Sequence, residues 1–578
     1  MSKMTRFKSI PLVLAVLLIA GVLLPSCGKP AQAAVSTGSV SEKLAAAQEL
    51  TLLVDNRFWN LDPQRSTMIN EWLVINHINE GLFRVVTDEN GFEKLELAGA
   101  ASYTVSVDGL VYTFKLRDHA WEDGQPVTAD QYVDAIIRLI TPENAFSYAG
   151  QVEDIKNVRA FQRKEVTADK VGVRAVDDKT LEITLEAVTP YFFSKLSVPV
   201  YFPVRLDKIG DNSDESWGSS PEKTLSNGPF KVSAWEKGTS ITLKKNPAYW
   251  DAANVKLDTV RLVVVDEDST RAQLFNNQQL DAVAGAADYF AGWKQRADSG
   301  AIVQLERFGG RTIRIDFPAS GGISGLTGNT KIRQALSLAV DREELVELAF
   351  NGLQVPAYGL FPKGLSLDGR PVRELIPEPL TGLSARYVND TASLRALFQE
   401  GLREENYSGS LDSITLKVLT YETVQAQKVM QQYLQQTWED KLGIHIETEI
   451  VADRGLNMQK IMEDQYDLSI SNNITTDFND PLHWLRIWDH SVGASIYFGG
   501  YNSPEYDAII ASLNGVTDTR QRAEIYAAAE KKLIAEDFQV MPIYYGQLDY
   551  FVQSYVRNLH FPSISTPYEF SRAYILEH

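Results

Sequence analysis

Tyr112-Thr113-Phe114-Lys115-Leu116-Arg117, followed shortly by Trp121-Glu122-Asp123-Gly124-Gln125-Pro126-Val127-Thr128-Ala129-Asp130, is the most informative stretch of the chain. From Val111 to Leu116 the residues alternate, with Tyr112, Phe114 and Leu116 on one face and Thr113 and Lys115 on the other. A period of two marks a strand buried on one side. Leu181, Ile183 and Leu185 repeat the pattern after the turn signal Asp177-Asp178-Lys179. Val260 to Val265 is apolar except for Arg261 and reads as a strand buried on both faces. Helical spacing is equally plain: Ile332, Ala335, Leu336 and Ala339 share one helix face. Asp341 with Glu344 predicts a capping box opening the next helix, closed by Gly352. A further amphipathic helix is expected between Thr519 and Asp537, with Thr519 as its cap. Strands and helices mix throughout, which predicts an α/β fold whose lobes draw on segments far apart in sequence.

The 578 residues are 44% hydrophobic, 23% charged and 10% aromatic, a globular composition long enough for several cores. A net charge of -19, from 75 acidic and 56 basic residues, repels phosphate backbones, so nucleic acid is not an expected partner. The N-terminus carries Lys3, Arg6 and Lys8, then an apolar run from Ile10 to Leu24 that is too short to span a bilayer but suits a signal peptide. It ends in Leu24-Pro25-Ser26-Cys27, which resembles the lipobox of bacterial lipoproteins. Residues 1–26 are read as signal, Cys27 as the lipidation site, and 27–49 as a small, polar tether. Cys27 is the only cysteine, so an intrachain disulfide or a cysteine metal site is excluded.

Signatures of catalysis are missing. There is no phosphate loop, no dinucleotide fingerprint, no Gly-x-Ser-x-Gly elbow and no His-Glu-x-x-His pair. Asp477, Asp480, His483, Asp489 and His490 cluster in sequence, but their spacing fits no common ligand pattern. Neither a metal nor a cofactor is expected. Aromatic residues in polar company, such as Tyr148, Tyr191-Phe192-Phe193 and Tyr544-Tyr545, suit either a core or a cleft.

Several ordered blocks resemble the peptide-binding branch of the bacterial extracellular solute-binding proteins, family 5, receptors of oligopeptide ABC importers. They are Leu61-Asp62-Pro63, Asn79-Glu80-Gly81-Leu82, the opening pair above, Asn227-Gly228-Pro229-Phe230, Asn246-Pro247-Ala248-Tyr249-Trp250, Lys331 to Leu336, Val340-Asp341-Arg342, and Ser571 to Ile575. The resemblance implies two α/β lobes joined by a two-segment hinge, plus an extra domain. Lobe I would take residues 50–79, 206–308 and 548–578, the extra domain 80–205, and lobe III 309–547.

Asp477-Phe478-Asn479-Asp480-Pro481 resembles the family segment whose first Asp holds a peptide amino terminus. A buried ammonium needs a carboxylate partner, which makes Asp477 the leading site residue. Its loss is expected to abolish binding with little change in stability, while the Ala variant of Asp480 should keep most affinity. The resemblance adds Tyr148 as a ligand contact from the extra domain. It also adds two stretches for backbone pairing with an extended peptide, Ser66, Thr67, Met68 and Ile69, and Asn473, Ile474 and Thr475. At positions where the family reads a short peptide's carboxylate or its pocket, this chain has Ser471, Asp453, Gln427 and Ile474. Longer, modified or differently cationic ligands are therefore expected. The implied function is that of an exported, lipid-anchored, monomeric, non-enzymatic peptide receptor that delivers to an ABC permease and faces the periplasm or the cell exterior. A receptor for another amine-bearing ligand such as murein peptide, an extracytoplasmic hydrolase, and an adhesin or holdase are the alternatives.

Overall fold

Tyr112, Phe114 and Leu116 do lie on the buried face of a strand, Val111–Leu116. It pairs antiparallel with Thr180–Thr184, Phe114 opposite Leu181 and Tyr112 opposite Ile183, so the two alternating patterns share one core. Ala100–Val105 and Val173–Asp177 flank them in a four-stranded antiparallel sheet. The computed structural model describes residues 43–54, 60–88, 91–210, 216–421, 425–470, 473–474, 476–490 and 499–578; Cys27 and Thr475 lie outside these residues.

A second sheet orders Glu49–Val54, Thr259–Val264, Ser240–Lys245 and Phe230–Glu236, the first pair parallel and the rest antiparallel. Thr259–Val264 contains the run expected to be buried on both faces. Instead Val260 and Leu262 are buried while Val263 and Val264 are half-buried, because the second face is only partly covered. The third and largest sheet is built on two long strands, Ile302–Asp316 and Val540–Gln553. Outward from Ile302–Asp316 follow Leu468–Ser469, Thr415–Tyr421 and His445–Val451, the last two parallel.

Two large cores result. One gathers residues between Leu50 and Ala282 with Tyr550 to Leu576; the other runs from Ile315 to Tyr544. The two long strands pass from one core into the other. Their pairing is regular from Ile302–Gln553 to Phe308–Gln547 and resumes at Thr312–Tyr545, so Gly309, Gly310 and Arg311 stand against the single Gly546. The bulge is tightly packed: a Cβ on Gly310 would come within 2.5 Å of the end of the Ile564 side chain and 3.0 Å of the Ser563 carbonyl, and one on Gly309 within 3.1 Å of the Gly546 carbonyl.

The helices follow their sequence signals with local exceptions. Thr330–Ala339 buries Ile332, Ala335, Leu336 and Ala339 completely. Asp341 caps Arg342–Phe350, accepting from Glu343 N and Glu344 N at 3.1 Å each. Glu344 does not close a capping box; its carboxylate accepts from the Tyr433 hydroxyl at 2.7 Å. The chain turns left-handed one residue earlier than expected, at Asn351 (φ 51°), and stays so through Gly352 (φ 72°). The helix Thr519–Lys531 is capped by Asp518, accepting from Gln521 N at 2.9 Å, because the Thr519 hydroxyl is donated to Asp368. It continues in wider turns over Lys532–Glu536. The fold also begins before Leu50: Leu44 bridges to Leu576, and Gln48 bonds Ile575 through both side-chain ends, at 2.8 and 3.0 Å. No helix among the described residues is long and apolar enough to cross a membrane.

Candidate functional site

The segment carrying Asp477 is fixed on both sides of that residue. Upstream, Asn473–Ile474 is a short strand paired with Ile313 and Thr312. The Thr476 hydroxyl donates to the Phe478 carbonyl at 2.7 Å, and Asn479 exchanges two 2.9 Å hydrogen bonds with Ser366. Asp480 is buried and accepts from Arg522, from the Tyr526 hydroxyl at 2.8 Å and from Leu482 N at 2.9 Å. Asp480 is thus half of an interior ion pair with Arg522, which Asp368 also meets at 3.1 Å, so its loss costs stability, separately from the expectation that its Ala variant keeps most affinity.

Asp477 itself points the other way, across to the segment around Tyr148. Gln151 Nε2 donates to its Oδ2 at 2.8 Å and the Tyr148 hydroxyl approaches Oδ1 at 3.4 Å. Both donors are neutral. Burial pushes the Asp477 carboxyl up to about 6, opposed only in part by the Tyr148 hydrogen bond. Burial, and then the Asp477 charge, push the Tyr148 hydroxyl up as well. Beside this contact the Phe478 and Tyr191 rings stack at 5.9 Å, and Tyr191 packs against both cores. Lys195, paired with Asp154, lies 5.9 Å from each of these two rings.

Trp72 meets Tyr148 edge-on at 5.3 Å and so links the site to the helix Ile69–Ile78. Glu71 organises the start of that helix by accepting from Asn60 N, Ser66 Oγ, Thr67 N and Met68 N at 3.0, 2.7, 3.2 and 3.3 Å. Ser66 N is bonded to the Asp62 carbonyl. These donors are engaged within the chain, and Ile69 opens a helix rather than continuing a strand, so residues 66–69 are not a free pairing edge. Met68 and Ile69 are nevertheless exposed as an apolar step. Asp453 caps the helix Arg454–Met462.

The structure therefore joins Asp477 and Tyr148 and adds Gln151, Trp72, Tyr191 and Phe478. Gln151 stands three residues beyond Tyr148, a spacing that puts both on one side of the helical turn Ala149–Val152 and could have identified it. Trp72 and Glu71 carried no local signal.

The model of the bacterial extracellular solute-binding proteins, family 5 Middle, matches residues 94–495. A dipeptide-binding protein of Bacillus subtilis is 30% identical over 511 residues, 87% of this chain and 88% of its own length. An oligopeptide-binding protein of the same organism is 27% identical over 92% of this chain and 93% of its own. Among solved structures, the substrate-binding domain of an oligopeptide ABC transporter from Bacillus anthracis superposes with a TM-score of 0.72 at 28% identity, covering 93% of this chain and 100% of that one. With its sheets, paired cores and a match spanning most of its length, the chain belongs to the bacterial extracellular solute-binding proteins, family 5.

Proposed function

We propose that this chain is a lipid-anchored, non-enzymatic receptor that captures peptides between its lobes and delivers them to the permease of an ABC importer. The observation that carries the reading is Asp477, a carboxylate that, among the described residues, is satisfied only by the neutral donors Tyr148 and Gln151 and is raised to about 6. Such a group gains most from a cation, and the cation common to all peptides is the α-amino group. The printed names of the relatives, dipeptide-binding and oligopeptide-binding, support the same ligand class.

In this reading lobe I is residues 50–79, 206–308 and 548–578, the extra domain is 80–205, and lobe III is 309–547. The glycine bulge at Gly309, Gly310 and Gly546 is the hinge, since it interrupts the two long strands that, among the described residues, run from one core into the other. A peptide ammonium displaces the Gln151 amide from Asp477 as the lobes close. The protein acts as an exported monomer held to the membrane through Cys27.

Incubation with a peptide mixture followed by native mass spectrometry tests the central claim. Intact peptides should be retained, one per protein, and amino-terminally acetylated ones excluded. Recovery of fragments would instead indicate a hydrolase, and retention of nothing would end the receptor reading. Anchoring has its own check: wild type should fractionate with membranes and Cys27→Ser should not.

A further inference from the structure

The helix Leu482–Arg486 follows directly on the Asp477 segment, and its last residue is a cation. Among the described residues Arg486 makes no hydrogen bond and no ion pair with its side chain. That sets it apart from the other partly or fully buried arginines, such as Arg84 with Glu96, Arg138 with Asp62, Arg373 with Glu530 and Arg522 with Asp480. Arg486 is half-buried, so its lack of a partner is not that of a freely solvated surface group.

Its direction follows from the helix. His483, three residues earlier, meets the Phe478 ring edge-on at 5.9 Å. Residues three apart share a helix face, so Arg486 stands on the side that looks toward Phe478 and the ring stacked on it, Tyr191. Behind those rings lies Lys195. Burial holds the Lys195 ammonium below its ordinary value, and Asp154 opposes this while the positive charge of Arg486 adds to it. Arg486 thus adds positive charge to the neighbourhood of Lys195, and Asp154 is already committed to Lys195. Like charges approaching in a closing cleft oppose closure unless an anion enters with the ligand.

We propose that Arg486 receives an anionic group of the bound peptide, so that the site reads a carboxylate as well as the ammonium taken by Asp477. The inference rests on the peptide-receptor reading and names the ligand class more closely: a zwitterionic or acidic peptide. Asp477 and Arg486 are then a complementary pair, and the net charge of the Asp477, Arg486, Lys195 and Asp154 group is zero before and after a zwitterion binds. The carboxylate can be the carboxy terminus of a short peptide or an Asp or Glu side chain within a longer one. Arg486 would thus supply a cation that Ser471 and its neighbours lack.

Calorimetric titration of wild type, Arg486→Gln and Arg486→Lys with Ala-Ala-Ala, Ala-Ala-Ala-amide and Ala-Glu-Ala-amide tests this. A charge-assisted contact is worth about 10–100-fold in affinity. Wild type should lose about that factor when the acid is removed, and Arg486→Gln should bind the acidic and amidated peptides alike, with Arg486→Lys between the two. A preference for Ala-Ala-Ala assigns the carboxy terminus, and a preference for Ala-Glu-Ala-amide assigns an acidic side chain. If all three peptides bind wild type equally, or Arg486→Gln keeps the full preference, the inference is overturned while the receptor reading stands. If no peptide binds wild type, both fall together. Among the described residues Arg486 has no hydrogen-bond or ion-pair partner, so its variants should melt with wild type, which separates lost recognition from lost folding.

Discussion

A carboxylate that stays ionised in partly dry surroundings is costly, and Asp477 is in that position. Its carboxyl is raised from the ordinary 3.8 to about 6, chiefly by burial. An acid whose folded value lies above its unfolded one favours folding at low pH and loses that contribution as pH rises through the folded value. Asp477→Asn should therefore stabilise the ligand-free protein at pH 7.5 by about 1–3 kcal/mol, allowing for partial exposure, and change little near pH 4. Thermal melts at the two pH values check this, and they replace the sequence-based expectation of unchanged stability. The same variant should lose about 10²–10³-fold in peptide affinity at neutral pH, with amino-terminal acetylation adding little further loss in the mutant. Wild-type affinity should weaken below pH 6 as a proton competes for the site; a flat titration profile from pH 7.5 to 5 would remove Asp477 as the ammonium anchor. Asp480 behaves differently. Breaking its pair with Arg522 should cost about 3–5 kcal/mol, visible in denaturant melts of Asp480→Ala and independent of ligand.

At the scale of elements, the caps show how a local signal can be right in kind and displaced in position. Asp341 was legible as a cap because a short acceptor preceded an apolar helical face, and it serves as one. Thr519 had the same credentials but gives its hydroxyl to Asp368, leaving Asp518 to accept from the helix. Asp341→Ala and Asp518→Ala should each destabilise the protein by about 1 kcal/mol, whereas Thr519→Ala should cost less than either. Chemical denaturation of the three variants decides it; a larger loss at Thr519 than at Asp518 would contradict the assignment. The Val260 to Val265 run was misjudged for a related reason. Apolar content describes what a strand can bury, while the covering layer decides what it does bury, and Val263 and Val264 are only half covered.

For the whole molecule, closure is the property that matters. The two cores are joined by strands whose pairing breaks where three residues oppose one glycine and again between Ile313 and Arg314, and the proposed hinge lies at the first of these breaks. Saturating peptide should therefore lower the radius of gyration measured by X-ray scattering from verified ligand-free protein. An unchanged radius at saturation would count against a hinge at this bulge.

What the sequence determined by itself was everything written in short-range pattern: the alternation of Val111–Leu116 and Thr180–Thr184, the apolar face of Thr330–Ala339, the cap at Asp341, and, through family motifs, the segment 477–481. Each depends on neighbours within a few residues, where backbone geometry alone brings side chains to one face. What only the tertiary structure decided were contacts between distant segments. Gln151 and Asp477 are 326 residues apart, and Gln48 and Ile575 are 527 apart, so no periodicity links either pair. The role of Glu71 in occupying Thr67 N and Met68 N, and the absence among the described residues of a partner for Arg486, belong to the same class. A hydrogen bond contributes only where folding has already brought its groups together, and that is set by the packing of whole elements and the closing of long loops.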